Sequence, residues 1–217
     1  MKEKQDLGSL RKSYEKGGLS DREKTQNPMN LFARWFTEAE ATPAIEEANA
    51  MSLVTQGLDG YPKARVVLLK HYDTEGFVFY TNYESEKGQA ITADSRVGIS
   101  FFWPALERQV IIKGIAEKIT SAASDAYFDS RPLGSRLGAL ASPQSQVIES
   151  RSVLEDNLNI LKGKHKENDP NRPNNWGGYL VRPHEIEFWQ GRPNRLHDRL
   201  RFGLSSDKQW TAQRLAP

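Results

Sequence analysis

The 217-residue sequence contains no cysteine, which excludes a disulfide framework, a thiolate metal site and a cysteine nucleophile and agrees with a reducing compartment. No apolar run reaches 18 residues, so no membrane-spanning helix and no membrane partner are expected. The charged N-terminal stretch lacks the apolar segment of a secretory signal, and the expectation is a soluble, cytoplasmic protein. Charge of one sign is missing as well, since 30 Lys and Arg stand against 28 Asp and Glu for a formal balance of +2. That balance recruits neither nucleic acid nor an anionic membrane, so anion binding has to be local. The patterns G-x-x-x-x-G-K-[ST], G-x-G-x-x-G after a strand, H-E-x-x-H and G-x-S-x-G are absent. ATPase, Rossmann dehydrogenase, zincin and α/β-hydrolase chemistry lose their support with them. His71, His165, His184 and His197 show no mutual ligand spacing, and no metal site is expected.

What is present is 37% hydrophobic and 10% aromatic content, enough to bury one sizeable core. Residues 1–28 are charged and hold Gly17, Gly18 and Pro28, so they read as an arm outside the core with at most a short helix around 7–14. Residues 29–217 then form a single domain. Leu31, Phe32, Trp35 and Phe36 recur at helical spacing behind an Asn30 cap, predicting a helix to about Ala41. Beyond it the period changes to that of strands, at 51–56, 64–70, 77–81, 97–103 and 108–118, with Asp59-Gly60 and Asp73 to Gly76 as antiparallel turns. Helices are predicted at 121–130, 132–140 and 150–164. An exposed loop at 165–175 follows, and strands return at 176–181, 185–190, 195–204 and 210–215. The fold class is mainly β, a β-barrel with peripheral helices.

Four segments place cations or hydroxyls where regular elements would not ask for them. Arg65 and Lys70 bracket four aliphatic residues on opposite faces of a strand, so either a bound anion compensates one of them or both reach water by snorkelling. Thr81, Ser85 and Lys87 lie where a strand ends and a helix begins, which suits either a phosphate on the free amides or a simple Ser85 cap. Tyr127, Arg131 and Ser135 surround a helix–helix elbow at Pro132, which is either a phosphate clamp or a solvated turn. Arg195, His197 and Arg199 share one face if they lie on a strand. Such a row of like charge calls for an anionic or electron-rich ligand, unless it is a solvated outer face. Flanking arginines would also favour neutral His197.

With these residues in view, the sequence resembles the pyridoxamine 5′-phosphate oxidase family. The stretch Glu187 to Arg199, E-F-W-Q-x4-R-L-H-D-R, looks like that family's signature. RVVLLKHYD from Arg65, FYTNYESEKG from Phe79, ERQV from Glu107, YFDSRPLGSRLGA from Tyr127, PQSQVI from Pro143, NWGGY from Asn175 and the terminal RLAP follow in the family's order. The resemblance spans nearly the whole chain, including LRKSYEKGGL from Leu10. It implies an FMN-binding split β-barrel that pairs as a homodimer with FMN at the interface.

Carried over by position, the resemblance assigns the FMN phosphate and ribityl chain to Arg65, Lys87, Gln144, Ser145 and Arg199. The isoalloxazine would meet Val66, Val67, Leu68, Leu69, Lys70, Tyr80, Thr81, Gln109 and Trp189. The substrate phosphate would be clamped by Lys70, Tyr127, Arg131 and Ser135, with Arg195 and His197 as catalytic residues over the pyridine ring. Arg11 and Tyr14 of the arm would close as a lid. The implied chemistry is hydride transfer from C4′ of pyridoxine 5′-phosphate or pyridoxamine 5′-phosphate to flavin N5, yielding pyridoxal 5′-phosphate. Dioxygen (O2) then reoxidises the flavin and is released as hydrogen peroxide, with ammonia from the amine. Glu86 stands where many members carry Arg or Lys, so no side-chain salt bridge to the FMN phosphate is expected there. Split barrels also serve as flavin or haem binders or as reductases on other cofactors, and those would not need Tyr127, Arg131, Ser135, Arg195 and His197 together. Turnover distinguishes an enzyme from a carrier that only holds pyridoxal phosphate, and no basic stripe supports a nucleic-acid binder.

Overall fold

The computed structural model describes residues 7–10, 12–166 and 168–217. It divides into two compact units, one of residues 49–100 and 112–184, the other of residues up to 48 with 101–111 and 185–217. In chain order the elements are α1 (Pro28–Glu40), β1 (Ala50–Gln56), β2 (Pro62–Leu68), β3 (His71–Tyr72), β4 (Phe77–Asn82), α2 (Glu86–Ala93), β5 (Arg96–Trp103), β6 (Arg108–Lys118), α3 (Ser121–Ser130), α4 (Leu133–Ala141), α5 (Arg151–Lys164), β7 (Trp176–Gln190), β8 (Asp198–Leu204) and β9 (Trp210–Leu215). Short 3-10 turns occupy Asp21–Thr25 and Pro193–Arg195.

In the first unit the strands run in the order β2-β1-β5-β6-β7-β4-β3. β1 pairs antiparallel with β2 (Leu53 opposite Arg65) and with β5 (Leu53 opposite Ile99), and β4 pairs antiparallel with β7 (Tyr80 opposite Gly178). Strand alternation sends Met51, Leu53 and Thr55 inward, and β4 is buried along most of its length. Phe79 stacks on Tyr179 at 5.6 Å, and Phe128 of α3 meets Trp176 edge-on at 5.2 Å. In the second unit β7, β8 and β9 form an antiparallel meander, with Phe188 opposite Leu200 and Arg199 opposite Leu215. The apolar stripe of α1 lies in that unit's core, where Phe32 meets Phe101 at 5.3 Å and Trp35 meets Phe188 edge-on at 5.2 Å. Fully burying each such aromatic contributes roughly 1.5–3 kcal/mol.

Several expectations are corrected. The cap of α1 is Asn27, whose side chain accepts from the Met29 amide at 2.8 Å, and Pro28 takes the first turn, where no donor is needed. Residues 7–10 form a turn rather than a helix, and Leu19 of the arm is buried at 3% exposure. The two strands expected at 176–181 and 185–190 are one strand, β7. Its pairing stops at Val181 on β4 and resumes at Glu185 on β8, so Pro183, which has no N–H to offer, falls between the two ladders. The strand expected at 195–204 begins only at Asp198. Pro193 starts a 3-10 turn, and Asn194 and Arg195 both take left-handed backbone at φ 56° and 61°. Arg195, His197 and Arg199 therefore do not form a strand-face row. Within the loop at 165–175, Pro170 is buried and the Arg172 side chain, 7% exposed, is ion-paired with Asp125 at 2.6 Å.

Candidate active site

A cavity of about 340 Å³ opens in the first unit, in the size range of small-ligand pockets. The end of β2 lines it with Val66, Val67 and Leu68, and Lys70 follows them. β4 adds Tyr80 and Thr81, α2 adds Lys87, the α3–α4 elbow adds Tyr127 and Arg131, and the loop after α4 adds Gln144. Asn82, Gly138, Ala139, Ser142 and Trp176 also line it. None of these five has a site role expected from the sequence, although Asn82, Gly138, Ala139 and Trp176 lie in the family-like stretches FYTNYESEKG, YFDSRPLGSRLGA and NWGGY. Trp176, an aromatic opening a strand opposite Asn82, carried the best clue.

Local chemistry sets the positions. Ser85 accepts from the Gly88 amide at 3.3 Å and donates to the Asn82 carbonyl at 2.6 Å, so it is the cap of α2, while Lys87 in the first turn reaches back toward the strand end. Among the described residues the Lys87 ammonium hydrogen-bonds only to hydroxyls, Thr81 at 3.3 Å and Ser85 at 3.4 Å, and Thr81 in turn donates to Gln144 Oε1 at 3.1 Å. Burial and then the neighbouring Arg65 charge pull its pKa below the ordinary lysine value, against a smaller opposing pull from Glu86. Arg65 donates to Thr55 Oγ1 at 2.8 Å and to the Leu53 carbonyl at 3.3 Å, and burial lowers its pKa too. Glu86 turns to Lys63, with both oxygens 2.6 Å from Nζ. Among the described residues, therefore, neither Arg65 nor Lys87 has a carboxylate partner. Lys70 is exposed at the cavity wall.

At the other wall Tyr80 stacks on Tyr127 at 3.8 Å and on Trp176 at 5.5 Å, and the Arg131 guanidinium covers Trp176 at 4.7 Å. Helix α3 ends at Ser130, Arg131 is extended, and Pro132 caps α4, which is the elbow expected from the sequence. Burial lowers the Arg131 pKa, and one of its terminal nitrogens is buried without a hydrogen-bond partner. A half-buried guanidinium with an orphan donor is short of an anion. Leu69 is in the core at 4% exposure, and Ser135 and Ser145 are exposed and do not line the cavity. The donor set and flat aromatic wall together suit a phosphorylated planar ligand.

The second unit carries its own cluster. His197 lies 4.7 Å from Trp189, ring to ring, and Tyr14 stands edge-on to both at 5.7 Å. The Arg192 amide donates to His197 Nδ1 at 3.1 Å, which leaves the imidazole proton on Nε2. Arg195 is exposed on its left-handed turn, a strained conformation of the sort that collects at functional sites. Arg199 is held by Glu187 through two bonds at 2.8 and 3.1 Å and by the Ala216 carbonyl at 2.9 Å; the Glu187 bonds raise its pKa. Gln109 is half-buried on β6. Arg11 lies outside the described residues.

The strand order and flanking helices define a split β-barrel protein. Residues 37–162 match the family described as Pyridoxamine 5′-phosphate oxidase, and residues 176–217 match the one described as Pyridoxine 5′-phosphate oxidase C-terminal dimerisation region. The pyridoxine/pyridoxamine 5′-phosphate oxidase of Flavobacterium johnsoniae is 57% identical over 211 residues, covering 97% of this chain and 99% of that one. Its counterpart from Bordetella pertussis is 52% identical with the same coverage, 97% and 99%. Among solved structures, PhzG from Burkholderia lata 383 in complex with tetrahydrophenazine-1-carboxylic acid superposes with a TM-score of 0.84 at 27% identity, over 92% of this chain and 98% of that one. The chain belongs to the pyridoxamine 5′-phosphate oxidase family.

Proposed function

We propose that this chain is a pyridoxal 5′-phosphate synthase, oxidising pyridoxamine 5′-phosphate and pyridoxine 5′-phosphate with FMN as cofactor and dioxygen as acceptor. The observation that carries this is an aromatic-walled cavity lined by Lys70, Lys87 and Arg131, none of them ion-paired with a carboxylate among the described residues, in a chain of this family. Arg65 and Lys87 hold the FMN phosphate, with Thr81, Gln144 and Ser145 supplying neutral donors. Arg199, its charge already balanced by Glu187, contributes hydrogen bonds and position. Val66, Val67, Leu68, Leu69, Lys70, Tyr80, Gln109 and Trp189 surround the ring system. Lys70, Tyr127, Arg131 and Ser135 clamp the substrate phosphate, Arg131 offering its orphan nitrogen. FMN, when bound, supplies a two-electron acceptor.

The remaining work belongs to the protein's own side chains. Arg195 and His197 orient the pyridine ring, and His197 presents Nε2–H because Nδ1 is taken by the Arg192 amide. Arg11 and Tyr14 close over the ring and exclude water. Two copies pair, consistent with the match to a dimerisation region over 176–217, and FMN lies where they meet. Aerobic incubation of FMN-loaded protein with each substrate tests the assignment. Pyridoxal 5′-phosphate and hydrogen peroxide should appear together at a catalytic rate. Tight FMN binding with no turnover of either substrate would move the chain to a non-oxidase flavoprotein role.

A further inference from the structure

A buried carboxylate ties the N-terminal segment down. Glu107 lies in the turn between β5 and β6, 2% exposed and in left-handed backbone at φ 56°. Its Oε2 accepts the backbone N–H of Glu15 at 2.8 Å and of Lys16 at 3.0 Å, and its Oε1 lies 3.6 Å from Lys12 Nζ. Lys16 Nζ donates to the carbonyl of the neighbouring Ala105 at 2.7 Å. The main chain of Glu107 acts on the other side, its carbonyl accepting the Gly191 amide at 2.7 Å. Gly191 is the seat of Tyr14, since a Cβ there would stand 2.7 Å from the base of the tyrosine ring. One residue thus fixes both the segment that carries Tyr14 and the backbone on which Tyr14 rests.

We infer that Glu107 is a positioning residue for the substrate site, acting through Tyr14, which it holds against Trp189 and His197. Burying a carboxylate is costly, and an apolar residue would serve packing alone at least as well. Here the acceptor is matched to two amides that no strand or helix satisfies, and strained backbone at the same residue aims it at them. The inference rests on the proposed oxidase reading only where turnover is measured.

Amide hydrogen exchange on the wild-type, FMN-loaded protein comes first. The Glu15 and Lys16 amides should exchange at least about tenfold more slowly than unfolded-chain rates; unprotected amides there would overturn the inference without any variant. Glu107→Ala should speed tryptic cleavage after Lys16 and raise KM for pyridoxamine 5′-phosphate roughly tenfold, with kcat within about twofold. Glu107→Gln, which keeps an acceptor but loses the charge, should restore part of both. In a Tyr14→Ala background the KM effect of Glu107→Ala should disappear. Its persistence in full there, or unchanged cleavage in the folded Ala variant, would sink the assignment. Absence of turnover in every form would strike the oxidase reading and leave the exchange result to judge the tether.

Discussion

Arg131 is expensive to keep as the structure has it, a half-buried guanidinium with one nitrogen unpartnered and only aromatic rings beneath it. Removing it should leave the ligand-free protein within about 1 kcal/mol of wild type in urea unfolding, because a lost cation–π contact offsets a relieved desolvation. The same Arg131→Ala change should raise KM for either phosphorylated substrate by roughly 10- to 100-fold, the worth of a charge-assisted hydrogen bond. Arg65 and His197 separate cofactor from substrate. Arg65→Ala should release FMN, read by equilibrium dialysis, whereas His197→Ala should retain FMN and lower kcat about 10²-fold. An Arg65→Ala protein that binds FMN as wild type does would make that arginine a snorkelling strand cation.

Elements carry the next layer. Protonation of Glu107 should free the segment it holds. Burial pushes its carboxyl up, but the Lys16 and Glu15 amides and the Lys12 ammonium outweigh that and leave the pKa below its ordinary value. A carboxylate lowered on folding contributes fully above its unfolded pKa and loses that contribution as pH falls through the folded one. Protection of the Glu15 and Lys16 amides, corrected for intrinsic rates, should therefore hold from neutrality to about pH 4.5 and fall only in stronger acid. Asn27→Ala should cost about 1 kcal/mol in urea unfolding by removing the cap of α1, and Asn30→Ala much less.

That last pair shows where sequence reading reached and where it stopped. Strands at 51–56, 77–81 and 108–118 and the helix at 121–130 were legible, because β-branched runs, Asp-Gly turns and a Pro132 break are local signals. The α1 cap was misread because Asn27-Pro28 and Asn30 both offer one, and only the fold shows which amide needs it. β7 was split at Pro183 because whether a missing donor matters depends on which strand lies alongside. The strand expected to carry Arg195 and His197 starts only at Asp198, since nothing local announces two consecutive left-handed residues without glycine. Trp176, Gly138 and Ala139 lie in family-like stretches but carry no expected role at the cavity, because they offer surface and space rather than charge.

At the scale of the whole molecule, the proposal that FMN lies where two copies meet has a test by mixing. Lys87→Ala damages the cavity of the first unit and His197→Ala the cluster of the second. If each site draws on both copies, unfolding and refolding the two variants together should give heterodimers with one undamaged site, and activity above either parent. If each site is built within one chain, every site keeps a lesion and activity stays at the parental level. Sedimentation of the same mixture should give twice the mass of one chain.

That no carboxylate among the described residues is ion-paired with Arg65 or Lys87 also bears on how the protein behaves in ordinary buffers. Such a cradle does not discriminate strongly between a phosphomonoester and its inorganic parent, so free phosphate or sulfate should raise the melting temperature of the cofactor-free form in proportion to RT ln(1 + [L]/Kd). Cofactor affinities measured in phosphate would then be apparent values, weaker than those in a zwitterionic buffer, and reconstitution should be fastest where no competing oxyanion is present.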